Sequence, residues 1–186
     1  MAYIDQTLIF ESNKIYYIDN DLEFEVMMDW EDSIMKASAD YVCGNGGDIL
    51  EIGFGMGISA GHIQANSISS HTIVENHPQV IEKAKAWAAD KPNVTIVEGD
   101  WYTVKNSLST YDGVFYDTWG EEDWSKFASN IASLCKSGAK VTWWNNNNNA
   151  TTIQNIDGVE YEAISVTPDS NMYFNADTYY LPKKAF

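Results

Sequence analysis

From residue 48 onward, short apolar runs alternate with segments whose apolar residues recur at helical spacing. The apolar runs predict buried strands over 48–52, 71–75, 93–97, 111–117 and 140–144. Helices are predicted between them over 58–65, 78–89 and 121–135, the last ending at the stop Lys136–Gly138. Such alternation predicts a parallel sheet with helices on both faces.

The two ends of the chain show other patterns. Residues 8–10 and 15–18 predict short strands, and apolar residues at helical spacing from Val26 to Ala37 predict a helix after them. The polar run 145–149 predicts a solvated loop, and 161–166 with 179–181 predict an antiparallel pair. The expected fold class is therefore α/β: a Rossmann-like, doubly wound, mostly parallel seven-stranded sheet with an antiparallel edge hairpin, between two layers of helices.

Composition and charge narrow the classes of partner. The net charge is -16, all eleven basic residues are lysines, and no arginine occurs. Such a chain lacks the basic stripe that nucleic acid or anionic lipid requires, and no apolar run is long enough to span a membrane. The two cysteines and three histidines show no metal-site spacing, so no metal is expected. A cytoplasmic protein is expected, because no signal-peptide pattern opens the chain.

Three glycines follow the first parallel strand, at Gly53, Gly55 and Gly57. A strand that enters such a loop before a helix is typical of nucleotide sites, and either NAD or S-adenosylmethionine would suit it. A dinucleotide site favours glycine or alanine where Ile58 stands, which argues against NAD. Glu75, at the end of the next strand, can take ribose hydroxyls, and Glu51 within the preceding strand fits a methyltransferase better. Trp101, after the third strand, could stack on adenine or simply pack in the core; the two alternatives are even.

With these pieces placed, the sequence resembles the guanidinoacetate N-methyltransferase family and its arginine N-methyltransferase relatives. The stretches that carry the resemblance are 26–35, 49–56, 112–118 and 179–182. The resemblance implies a single methyltransferase domain over 1–186, with an N-terminal extension or lid over 1–26, a cofactor-binding core over 27–144 and shortened C-terminal edge strands over 145–186. The sequence departs from the family in two places. One is the N-terminal segment, and the other follows the fifth predicted strand, where the family has a longer helical segment.

The resemblance also implies roles for individual residues. The cofactor-binding positions would be Met27, Met35, Glu51, Gly53, Phe54, Gly55, Met56, Gly57, Ile58, Ser59, Glu75, Asn76, His77, Trp101, Tyr102 and Asp117. Glu31 and Asp117 would be the catalytic carboxylates that hold an acceptor guanidinium, and Asn146 with Asn147 would hold the carboxylate of that acceptor.

The function expected from these residues is methyl transfer from S-adenosylmethionine, with S-adenosylhomocysteine as product, to a small guanidino compound such as guanidinoacetate. A guanidinium is a poor nucleophile, and two carboxylates can localise its charge, with Asp117 accepting the departing proton. Three alternatives stay open: another small amine as acceptor, protein arginine, or a cofactor-binding protein without catalysis. The oligomeric state is not predicted.

Overall fold

The computed structural model describes residues 2–120, 124–151 and 156–186. An antiparallel sheet of three strands opens the chain: β1 (Ile9–Phe10), β2 (Lys14–Asp19) and β3 (Leu22–Met28). Its buried Leu8 and Ile15 share a core cluster with Phe54 and Val80, so this sheet packs against the glycine loop and the helix that contains Val80.

The predicted helix from Val26 is wrong at its start. Val26 and Met27 lie in β3, and the helix α1 (Asp32–Val42) begins only after a short 3-10 turn at Asp29–Glu31. Ile15 pairs with Met27 while Tyr16 pairs with Glu25, so Val26 is the extra residue of a β-bulge. A bulge re-aims side chains. Pairing with β2, which local spacing does not reveal, overrides the helical pattern.

The central sheet has the predicted α/β architecture. Its strands and helices run in chain order as β4 (Asp48–Ile52), α2 (Ile58–Gln64), β5 (Ser70–Glu75), α3 (Pro78–Ala88), β6 (Val94–Glu98), α4 (Trp101–Val104), β7 (Tyr111–Tyr116), α5 (Trp124–Asn130), β8 (Cys135–Trp143), β9 (Glu160–Ser165) and β10 (Thr178–Ala185). The seven strands lie in the order β6-β5-β4-β7-β8-β10-β9. The first five are parallel, and β10 is antiparallel to both β8 and β9, which confirms the edge hairpin.

The predicted helix over 121–135 is too long. Residues 121–123 lie outside the described chain, α5 ends at Asn130, and a 3-10 turn at Ile131–Leu134 leads into β8. The predicted stop Lys136–Gly138 lies inside that strand. Pairing with β7 accounts for the difference, because Tyr111 already pairs with Cys135 at the start of β8. The Nζ of Lys136 lies 2.7 Å from a carboxylate oxygen of Asp48 and 2.7 Å from one of Asp112.

Apolar side chains alternate between the two faces of the sheet. Ile49 and Phe115 join the core of α1 and α2, whereas Leu50 and Val114 join the opposite core with α5. The carboxyl ends of β4 and β7 lie side by side where the strand order reverses, which is where open α/β sheets bind ligands. None of the helices in the described ranges is long and apolar enough to cross a membrane.

Candidate active site

A cavity of about 650 Å³, including its open mouth, lies at the carboxyl ends of β4, β5 and β7. Residues from the N-terminal segment, the glycine loop and the loop after β7 all contribute to its wall. The lining residues are Tyr3, Val26, Met27, Ile52, Gly53, Phe54, Gly55, Ser59, Val74, Glu75, Asn76, Gly99, Trp101, Asp117, Thr118 and Trp119. The cavity therefore unites most of the predicted cofactor positions with one predicted catalytic acid.

The glycines of the loop are required by contacts within the chain itself. A Cβ on Gly53, whose φ is +95°, would lie 1.8 Å from the carbonyl oxygen of Asp117. A Cβ on Gly55, whose φ is +52°, would lie 2.4 Å from the sulfur of Met27. Both positions combine a left-handed backbone with a close approach that only glycine allows. The loop is thus packed directly against the acid-bearing loop after β7.

Glu75 holds the loop from the other side. Its Oε2 accepts the backbone N–H of Phe54 at 2.9 Å, and its Oε1 accepts those of Asn76 and His77, each at 2.8 Å. Glu75 is 6% exposed and lines the cavity. Three backbone donors fix the carboxylate and leave one lone pair of Oε2 for a ligand.

Glu51 lies beneath the loop and is not among the described lining residues. Its fully buried carboxylate accepts the hydroxyl of Ser59 and, at 3.0 Å, the Nε2–H of His71. The Nδ1 of His71 accepts an N–H from Gln64 at 3.3 Å, so the ring serves as a neutral donor to Glu51. Glu51 thereby connects β4 and β5 to the first turn of α2.

Several predicted cofactor positions lie outside the wall. Met35 is fully buried in the core of α1, and Tyr102 is 41% exposed on α4. His77 is buried as the N-cap of α3, where its Nδ1 accepts the N–H of Gln79. Met56, Gly57 and Ile58 likewise are not among the described lining residues.

Trp101 packs in the core and also lines the cavity, and stacking on adenine stays a prediction. It lines the cavity, yet it is 3% exposed and meets Tyr116 edge-on at a centroid distance of 5.4 Å. It is both a core residue and a wall of the cavity.

Asn146 and Asn147 are not among the described residues that line the cavity. Asn146 is exposed, and the side-chain amide of Asn147 donates to Thr151 Oγ1 at 3.2 Å. Asn145, at the start of the same run, is instead buried, and its N–H donates to the Tyr179 hydroxyl at 2.7 Å. The structure therefore does not bring the predicted pair of asparagines to the acceptor end.

The two predicted catalytic acids lie near each other in different surroundings. Asp117 lines the cavity, and among the described residues no side chain or N–H donates to its carboxylate. Burial raises its pKa to about 7, and the charge of Glu51 adds to the effect. Glu31 is 3% exposed, and burial together with the charge of Asp117 raises its pKa to about 8. Two neighbouring acids with raised pKa values, one of which lines a cavity, are typical of a functional site.

Sequence reasoning missed the aromatic residues around these acids. Tyr3 lies in a short 3-10 turn over Tyr3–Asp5 and lines the cavity, and its ring centroid lies 5.0 Å from that of His77. Tyr173, between β9 and β10, donates its hydroxyl to Glu31 Oε1 at 2.6 Å. No local pattern marks either residue; the only signal was the presence of aromatic residues in otherwise polar segments.

The family model described as guanidinoacetate N-methyltransferase matches residues 18–164. The chain belongs to this family. Membership confirms the expected class, that of S-adenosylmethionine-dependent methyltransferases, and hence the expected class of cofactor.

Sequence relatives carry the name protein arginine N-methyltransferase 2. The protein from Aspergillus oryzae is 36% identical over 153 residues, which cover 77% of this chain and 36% of that protein. The proteins from Candida glabrata and Saccharomyces cerevisiae are each 32% identical, and their alignments cover 100% of this chain and 51% of each relative. This member of the guanidinoacetate N-methyltransferase family thus spans between a third and a half of those relatives.

Solved structures share the fold at low identity. The N-methyltransferase NodS from Bradyrhizobium japonicum, in complex with S-adenosyl-L-homocysteine, has a TM-score of 0.66 at 12% identity, covering 84% of this chain and 87% of NodS. Spermidine synthase from Thermotoga maritima has a TM-score of 0.67 at 11% identity, covering 96% of this chain and 72% of the synthase. These similarities confirm the Rossmann-like fold of this family member.

Proposed function

We propose that this chain binds S-adenosylmethionine in the cavity and methylates a guanidino nitrogen of an acceptor beside Asp117. One observation carries the proposal: the Asp117 carboxylate opens into the cavity formed by the glycine loop and has no hydrogen-bond donor among the described residues. An acid kept without a partner in a half-buried position is costly. A carboxylate in such a position suits a cationic ligand.

The residues of the cavity fit the cofactor. The cavity lies beside the carboxyl ends of β4 and β7, where the strand order reverses and where open α/β sheets bind cofactors. Gly53, Gly55 and Trp101 line the cavity, and Glu75 can offer its remaining lone pair to hydroxyl groups. When bound, S-adenosylmethionine supplies an electrophilic methyl group on a positively charged sulfur.

Asp117 is the residue that we assign to the proton. A protonated guanidinium has no lone pair for attack, so a nitrogen must lose a proton as the new bond forms. Since burial raises its pKa to about 7, Asp117 is ionised in about half of the molecules at neutral pH and is basic enough to accept that proton. Glu31 is proposed as the second carboxylate, which holds the spectator nitrogens.

The identity of the acceptor has two candidates. A small guanidino compound is the first, in keeping with the family, and an arginine side chain of a protein is the second. The names of the sequence relatives favour the second. So does the charge of the cavity, because its charged residues within the described ranges are the acids Glu75 and Asp117, and neither can bind the carboxylate of guanidinoacetate.

An acceptor panel with radiolabelled S-adenosylmethionine tests the proposal. Guanidinoacetate, methylguanidine, free arginine, an arginine-containing peptide and propylamine separate small guanidines, peptides and simple amines. Transfer to guanidino compounds but not to propylamine supports the proposal. Transfer to the amine alone contradicts it, and cofactor binding with no transfer to any acceptor favours a binding protein.

The substitution Asp117→Asn tests the proton acceptor. It should lower kcat at least a hundredfold, because a carboxamide cannot accept the proton, while calorimetry shows cofactor binding within a few fold of wild type. Asp157→Asn, at an exposed acid on the chain segment before β9, is the matched control and should leave kcat unchanged. Full turnover in Asp117→Asn would contradict the assigned role.

A further inference from the structure

The segment between β9 and β10 places an aromatic side chain over the predicted acceptor acid. The Asn171 side-chain oxygen accepts the N–H groups of Tyr173 at 2.9 Å and Phe174 at 2.7 Å, which fixes a local turn. Phe174 is 3% exposed and anchors the turn in the core, whereas Tyr173 is only partly buried. The backbone of the turn is thus held in place by Asn171 and Phe174, independently of the Tyr173 hydroxyl.

The Tyr173 hydroxyl and a backbone N–H together fill the acceptor sites of one oxygen of Glu31. Glu31 Oε1 accepts this hydroxyl at 2.6 Å and the Met28 N–H at 2.7 Å, which uses both of its lone pairs. A guanidinium fork binds a carboxylate through one N–H bond to each oxygen. With Tyr173 in place, Glu31 cannot accept that fork.

The ring of Tyr173 contacts an aromatic side chain of the cavity wall. Its centroid lies 6.5 Å from that of Trp119, which lines the cavity, and 6.0 Å from those of Trp30 and Trp144. Glu31 is 3% exposed and is not among the described lining residues. Tyr173 thus connects a cavity-lining ring with a carboxylate that the cavity does not reach.

We propose that Tyr173 is a specificity-determining gate. In the free protein its hydroxyl occupies the position on Glu31 that an N–H of the acceptor would take, and it leaves that position when a guanidinium binds between Glu31 and Asp117. The inference deepens the proposed function and rests on it for the role of Glu31. An acceptor has to replace the lost hydroxyl bond while it also reaches Asp117. A guanidinium carries its N–H donors on separate nitrogens and can donate to Glu31 and Asp117 at once, whereas the donors of a primary amine lie on a single nitrogen. The gate therefore selects for guanidino acceptors.

Removing only the hydroxyl provides the test. Tyr173→Phe, measured by calorimetry with S-adenosylhomocysteine present, should bind methylguanidine and guanidinoacetate about tenfold more tightly than wild type, which equals about 1.4 kcal/mol. The measurement is made at pH 9 so that Glu31 is ionised, because burial raises the pKa of Glu31 to about 8. The titratable groups that face this carboxyl are Asp117 and Tyr173. Tyr41→Phe, at a half-buried tyrosine of α1 near Lys140 and Lys183, is the matched control.

A second readout follows the gate directly. In protein labelled with ¹³C-tyrosine, the ring resonance that disappears in Tyr173→Phe should shift when methylguanidine binds and stay in place with propylamine. Equal or weaker guanidino binding in Tyr173→Phe, including no binding in either protein, overturns the gate. If the variant binds more tightly but wild type transfers no methyl group, the gate stands and the proposed transferase activity fails.

Discussion

The buried carboxylate of Glu31 is expected to reduce stability at alkaline pH. Burial and the charge of Asp117 raise its pKa from 4.5 to about 8, so the folded protein holds this proton more tightly than the unfolded chain does. The stability contribution of Glu31 is therefore complete below about pH 4.5, falls as the pH rises, and is lost above about pH 8. The substitution Glu31→Gln removes this dependence and keeps a side-chain oxygen for Met28 and Tyr173.

The size of the effect follows from the pKa difference. Ionising Glu31 in the folded state costs up to about 5 kcal/mol, at about 1.4 kcal/mol for each tenfold change in proton affinity. The amide of glutamine adds N–H donors that need partners, and this lowers the stability of the variant by about 1–2 kcal/mol. Glu31→Gln should thus be about 3 kcal/mol more stable than wild type at pH 9 and equally or slightly less stable at pH 5. For a chain of this length, the melting temperature at pH 9 should rise by about 5–10 °C.

Urea unfolding at pH 5, 7 and 9, followed by tryptophan fluorescence, measures the difference between variant and wild type at each pH. Taking the difference cancels every other titration that the two proteins share. Glu82→Gln, at an exposed glutamate of α3, is the matched control and should change stability by less than about 0.5 kcal/mol at all three pH values. A stabilisation by Glu31→Gln that does not grow with pH would refute the argument that this acid is held at a cost.

Three further predictions concern the cavity. Gly53→Ala should lose about 2–4 kcal/mol of unfolding free energy in urea and bind S-adenosylmethionine poorly, because its Cβ would meet the Asp117 carbonyl at 1.8 Å; wild-type affinity would contradict the close packing. Glu75→Gln should weaken cofactor binding at least tenfold by calorimetry, because an amide has one acceptor oxygen and cannot accept all three of the backbone N–H groups that the carboxylate accepts. Unchanged affinity would show that Glu75 is not part of the cofactor site. The rate should rise with pH through about 7 as Asp117 loses its proton, and a rate that falls with pH over pH 6–8 would exclude Asp117 as the base.

The cofactor side of the site could be predicted because its signals are local. The strand β4, the glycines after it and Glu75 lie within about 28 consecutive residues, and each carries its own pattern. The sheet order follows from the same alternation of strands and helices. Short-range patterns therefore gave the correct fold class and the glycine loop.

The acceptor side could not be predicted, because it is assembled from distant segments. Val26 enters the wall through a bulge that depends on pairing with β2, and Tyr173 reaches Glu31 across 142 positions of sequence. Asn147 turns instead to its near neighbour Thr151, as short polar side chains in loops tend to do. Met35 has the helical spacing of a core residue and is one.

The contact between Gly53 and the Asp117 carbonyl divides the protein into a fixed and an exchangeable part. The glycine loop and the backbone of Asp117 are in direct contact, with no room for a side chain between them. Trp30 with Glu31 and the turn 171–174 belong to other stretches of the chain and contact each other through side chains. Changes of acceptor during evolution, or by grafting in the laboratory, can therefore be confined to those two short stretches while the donor half is inherited intact.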